Sequence, residues 1–204
     1  MIIRLFSVSD QMGLESFHDV FQAILGWSGD LGYIVRIHGH EHNGFPARRR
    51  RTKRQPRLSD FRLRRQEKFF YACDLMDMWE WDMRVLDIQE GLVGDEAGAC
   101  LGGRGAVLPQ YCGGPRGYRL MLKRQRDGDA ASDPVQMEMA IQWLASTQEE
   151  PTGGWDYLRK VLAEGWESVD RRLEEYGPLE PGRFSLKEAN ERVARLDRHV
   201  AARP

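Results

Sequence analysis

The sequence predicts an α+β fold: a mixed, mainly antiparallel sheet flanked by helices, with a helical C-terminal third. Two observations carry this. Short runs of β-branched and aromatic residues fall before residue 90, whereas apolar residues spaced by three and four dominate after residue 134. Strands therefore cluster early and helices late, which argues against alternating α/β architecture.

Ile2–Val8 alternates loosely and predicts a short strand. Leu14, Phe17, Phe21, Ile24 and Leu25 then mark one face of a helix that Gly26 is suited to end, with Trp27 folding back on it. Tyr33–His38 predicts a second strand. Gly39 to Ser59 is poor in apolar residues and predicts a flexible loop. Phe69–Leu75 and Trp79–Ile88 predict two strands joined by a turn near Met76–Met78, and Trp79, Trp81, Met83 and Val85 alternate onto one face of the second. Gly91–Gly117 is rich in Gly and Pro and predicts irregular structure, followed by a short helical stretch at Tyr118–Lys123. Helices are expected over Pro134–Ser146 and Trp155–Tyr176. A capping box, Ser185 to Glu188, opens a last one through Val193 and Leu196. These elements are expected to form one domain over residues 1–204, with 39–59 as its basic loop and 127–182 as a helical extension.

Composition narrows the class. Hydrophobic residues make up 41% and charged residues 30%, a globular mixture. No apolar run approaches the roughly 18 residues of a membrane span. Arg4 and Asp10 interrupt any secretory leader, so a cytoplasmic protein with no membrane role is expected. Three cysteines are too few for a disulfide framework. The formal net charge of −1 hides a separation: Arg48–Lys68 holds eleven Arg/Lys and two acids, a local +9, which leaves −10 elsewhere.

Two segments carry a family resemblance. In the first, Tyr71, Asp74, Asp77 and Trp79 match a Tyr-x-Tyr-Asp-Phe-Gly-Asp-x-Trp pattern. In the second, Cys100, Ala106, Pro109, Cys112, Gly113, Gly114, Pro115, Gly117 and Tyr118 match a loop that closes Cys-Gly-Gly-Pro-x-Gly-Tyr. Leu14, His18, Gly26 and Trp27 add a matching early helix, and Phe184 to Asn190 a matching late one. The chain thereby resembles the plasmid pRiA4b ORF-3-like family, which includes TnpR-like passenger proteins of insertion sequences. The resemblance implies an α+β fold of antiparallel strands and helices with no established catalysis. It also marks departures: Leu75 and Met76 replace an aromatic-Gly turn, Trp81 replaces a His, Leu31-Gly32-Tyr33 replaces a His-x-His pair, and Val107 replaces a cysteine. A strand that the family carries before Ile3 has no counterpart. A truncated or mis-started copy is therefore expected, with an exposed sheet edge at which a second copy can pair.

Several chemistries can be weighed residue by residue. Cys100 and Cys112, with His38, His40 and His42, are candidate metal ligands, but the cysteines are eleven intervening residues apart and structural zinc favours close pairs. Extended backbone would put the three histidines on one face. Asp74 and Asp77 are candidate acid/base residues, although aspartates are also ordinary turn residues. Cys112 is a candidate nucleophile, with His18 as base; a packed small residue is the simpler reading. Gly98–Gly117 lacks a phosphate-loop signature, and Gly113-Gly114-Pro115 predicts a sharp bend. Trp79 and Trp81 are better read as core than as base-stacking platforms. No cofactor is called for. The cationic run Arg48, Arg49, Arg50, Arg51, Lys53, Arg54 and Arg57 is the candidate nucleic-acid contact, able to neutralise several phosphates of DNA or RNA, with a solvated basic loop, or one docked on the protein's own −10 remainder, as the equal alternative. An accessory protein of a plasmid or mobile element is the reading that follows. Its rivals are an adaptor whose basic loop meets an acidic partner or a second copy of the chain, and an enzyme using Asp74 and Asp77 near the Cys112 loop.

Overall fold

The computed structural model describes residues 1–45, 56–74, 78–90, 98–128, 167 and 169–201, with side chains through residue 196. Its backbone divides into two compact units, one of residues 1–110 and 181–204, the other of residues 111–180. The chain is α+β, and every described strand pair is antiparallel.

In the first unit β1 (Ile3–Ser7) pairs with β6 (Ala99–Arg104), and a second sheet has the order β3 (His40–Gly44), β2 (Tyr33–Ile37), β4 (Lys68–Cys73), β5 (Trp79–Arg84). Register sets the core: Tyr33 lies opposite Cys73, which lies opposite Trp79, and Val35, Tyr71 and Trp81 form the next row. Side chains in a row share a face. Helix α1 (Leu14–Leu25) covers that face. Its apolar spacing is the expected one, and Leu14, Phe17, Phe21, Ile24 and Leu25 are all buried. Phe17 and Phe21 meet Phe6 of β1 at 6.1 and 5.5 Å, and meet Tyr71 at 6.1 and 5.1 Å. Gly26 ends the helix at φ +85°, a left-handed conformation that glycine adopts without strain. The last helix, α3 (Leu186–Ala201), buries Ala189 and Val193 and begins with the expected cap, the Glu188 N–H donating to Ser185 Oγ at 3.2 Å.

Three departures from the sequence reading have physical causes. Residues 40–44 form β3 rather than loop. Their sequence, HEHNG, has no apolar alternation, and pairing with β2 holds them, each strand residue from Tyr33 to Ile37 facing one from Gly44 to His40. The turn between them is His38-Gly39, both at positive φ (+51° and +77°), the backbone of a tight two-residue hairpin. Second, β6 crosses the stretch expected to be irregular, because β1 and α3 supply partners for its backbone. Third, in the other unit α2 (Gly114–Asp127) starts four residues before the expected helical stretch. Residues 169–176 of the second unit are helical with Val169 buried, while the expected helix over 134–146 and the start of that over 155–176 lie outside the described residues.

A candidate nucleic-acid interface and the buried motif residues

The cationic run itself, residues 48–54, lies outside the described residues, and its two flanks are described. On one side stands β3. On the other, residues 56–59 are stitched to the strap before α1: Leu14 N–H donates to Pro56 O, Leu58 N–H to Met12 O and Ser59 N–H to Asp10 O. Buried Leu58 anchors a 3-10 turn (Leu58–Phe61). Within it the Asp60 carboxylate accepts the Arg57 backbone N–H at 2.8 Å, while the Arg57 guanidinium donates to the neutral amide oxygen of Gln11 at 3.0 Å.

After this turn the chain lines an open cleft of about 670 Å³ with Phe61, Arg62, Arg64, Arg65, Gln66 and Glu67, and His38 of the hairpin turn completes it. Its walls are fixed. Gln66 N–H donates to Val85 O and Val85 N–H to Glu67 O, at 2.6 and 2.9 Å. The Glu67 carboxylate accepts the Arg64 backbone N–H at 2.7 Å and the His38 ring at 2.5 Å. Those two bonds hold its pKa below the usual carboxylate range, the backbone bond being the larger cause. Arg65 pairs with Asp87 at 2.7 Å. Arg62 and Arg64 make no close ion pair with a described carboxylate, although the charge of Arg64 acts on Glu67. Phe61 stays half-buried, with His42 meeting its ring edge-on at 4.9 Å.

The residues that carried the resemblance have a different setting. His18, Gln22 and Tyr71 form a polar knot inside the first core. The Tyr71 hydroxyl lies 2.7 Å from His18 Nδ1 and accepts from Gln22 Nε2 at 2.9 Å, and His18 stacks on Tyr33 at 4.5 Å. All four are buried. Trp27 donates its indole N–H to Leu108 O at 2.7 Å and packs on Trp79. In the second unit the Cys-Gly-Gly-Pro-x-Gly run opens α2. Gly113 and Gly114 take φ of +85° and +67°, Pro115 occupies the first turn, and a Cβ on Gly117 would lie 1.7 Å from the Cys112 carbonyl oxygen. Each small residue is thus a steric requirement of one helix start. The matching late motif works on β6: Asn190 accepts the Cys100 N–H and donates to the Cys100 C=O, both at 2.9 Å.

A family model matches residues 1–157, and its description is plasmid pRiA4b ORF-3-like protein. The chain belongs to this family. It is also similar to the uncharacterized protein y4hQ of Sinorhizobium fredii (strain NBRC 101917 / NGR234), 25% identical over 185 residues, which span 84% of this chain and 90% of that one. Among solved structures it resembles the protein of unknown function MM3350 from Methanosarcina mazei Go1, with a TM-score of 0.58 at 18% identity, over 92% of this chain and 87% of that chain. That likeness extends to the fold alone.

The family motif therefore reads as architecture, and the chemical candidates fare accordingly. Asp74 is buried at φ +57°, donates its N–H to Gly32 O and accepts the Met78 N–H, the backbone of a turn; Asp77 lies outside the described residues. Cys112 is buried in the second unit with its thiol directed to Gly114 O, whereas His18 in the first is engaged with Tyr71. The expected shared face of His38, His40 and His42 does not form, because the positive φ of His38 puts it in the turn; it binds Glu67 while His42 packs on Phe61. Cys100 directs its thiol to the carbonyls of Leu5 and Gly102. Among the described residues no three His, Cys, Asp or Glu converge as metal ligands. Trp79 is buried and Trp81 packs on Phe21 at 5.4 Å, so both serve the core. No described helix is long and apolar enough to cross a membrane.

Proposed function

We propose that this protein is a non-enzymatic accessory protein of a plasmid or mobile element that binds nucleic acid phosphates through residues 48–65. The observation that supports this most is the state of the arginines flanking the cationic run. Arg57 is held by a neutral amide, Arg62 makes no ion pair with a described carboxylate, and Arg64 feels the charge of Glu67 without forming a close ion pair with it. Charge that a protein needs for its own fold is found in ion pairs; charge kept out of them is available to a polyanion. The burial of Asp74, Cys112 and His18 in hydrogen-bonded turns and core positions supports the non-enzymatic half, because each already has a structural role.

Binding of this kind is driven by counterion release, so it falls steeply with salt and discriminates little between sequences. A salt titration with random duplex DNA, using the full chain and a variant with Arg48–Arg51 changed to Ser, tests it. With six or more phosphates engaged, affinity drops by about a thousandfold or more between roughly 50 and 200 mM salt, and the variant shows a shallower slope. A flat response in both proteins favours the adaptor instead.

A further inference from the structure

We infer that the cleft beside Phe61 is a single-strand site, in which one unstacked base lies against the Phe61 ring while neighbouring phosphates meet Arg62 and Arg64. This rests on the phosphate-binding reading above and adds the strand state to it. Phosphate contact alone calls for no aromatic group. Yet Phe61 is the sole aromatic residue between Arg48 and Lys68, and it lines the same cleft as three arginines. In a duplex, base faces are covered by stacking and only edges are presented; a partly exposed ring lining a recess fits a base that has left its stack. Combining a basic track with an aromatic face is how single strands are held without sequence preference.

The platform is rigid enough for stacking. Leu58 is buried beneath the turn, residues 56–59 are bonded to the strap before α1, and the opposite wall is bonded to Val85. The cleft's acid is outnumbered: Arg62, Arg64 and Arg65 line the same recess, and both Glu67 oxygens are turned to His38 and the Arg64 N–H. The volume of about 670 Å³ falls within the span of small-ligand clefts, about 300–1,000 Å³.

The test is fluorescence anisotropy on the full chain at about 100 mM salt. The probes are labelled oligo(dT) and oligo(U) of about 12 nucleotides and a duplex of equal length. Wild type is expected to bind a single strand more tightly than the duplex, and whichever of the two single strands wins names the DNA or RNA source. Phe61→Leu lowers single-strand affinity by about 5- to 150-fold while leaving duplex affinity and salt slope unchanged. Should that variant fold poorly by circular dichroism, Phe61→Trp decides: it matches or exceeds wild type on single strands. A Leu variant that loses single strand and duplex equally, or neither, overturns the inference while the phosphate reading stands. Weaker single-strand binding by the Trp variant does the same. A wild type that binds none of the three probes overturns both.

Discussion

Cys73 is closed off from water between Tyr33 and Trp79 on adjacent strands, and burial pushes its thiol pKa up to about 12 from an ordinary 9.0. Burial raises Tyr71 well above its ordinary 10.0 as well. Both groups are acids whose neutral form the fold favours, so each contributes stability that is intact below its unfolded pKa. The unfolded chain ionises Cys73 from about pH 9, the folded chain only near 12, and stability is lost across that window. The cost rises by about 1.4 kcal/mol for each pH unit inside it. Between pH 9 and 10 Tyr71 contributes little to the slope, since even the unfolded chain ionises it only near 10. Urea unfolding of wild type and Cys73→Ala should therefore give curves that run parallel below about pH 8 and converge from 9 to 10. Cys100, whose pKa burial also raises, is common to both proteins and cancels in the difference. Curves that stay parallel through pH 10 would sink the assignment.

Pairing between elements decides where the sequence could be read and where it could not. Helix α1 was legible because apolar spacing and a terminal glycine are local signals, and so were β2, β4, β5 and the Ser185 cap. Strand β6 was not. Its sequence, ACLGGR, carries two glycines and little alternation, and its stability comes from β1 on one side and from Asn190, some ninety residues away, on the other. That side-chain amide offers one donor and one acceptor at the spacing of a neighbouring strand, so α3 finishes a sheet edge without a strand. Next to it Arg192 donates to Ala23 O and Ile24 O, carbonyls of the last turn of α1, the first of which also accepts the Gly26 N–H. Asn190→Ala strips both bonds from Cys100 and is expected to cost about 1–3 kcal/mol, with hydrogen exchange at the Cys100 amide accelerating more than at Phe70 in β4. Equal acceleration at both would make Asn190 a global packing residue rather than an edge cap. The cleft was half legible for the same reason. Its charge is a run in sequence, whereas the role of Phe61 appears only once the hairpin turn and the strap before α1 bring His38 and the 3-10 turn together; its one local signal was being the lone aromatic in a cationic stretch.

At the scale of the whole molecule, the arrangement of charge matters more than its total. A chain of formal net charge −1 with evenly mixed signs has little affinity for either kind of ion exchanger, but here +9 is gathered in 21 residues and −10 in the remainder. Two states of the cationic run are physically distinct. If it lies on the protein's own carboxylates, its field is cancelled internally; if it stands apart, a negatively charged surface can engage it although the molecule as a whole is slightly anionic. Chromatography at pH 7 and low salt separates these without any nucleic acid. Wild type is expected to be retained on a cation-exchange resin and to elute as salt shortens the screening length toward a few ångström, about 3 Å at 1 M. Changing Arg48–Arg51 to Ser removes four positive charges, taking the formal net charge from −1 to −5, and the variant should flow through. The control is an anion exchanger, on which the variant should be held longer than wild type. Flow-through of the wild type on the cation exchanger would mean that the arginines are spent within the molecule, and no phosphate backbone could then be their target.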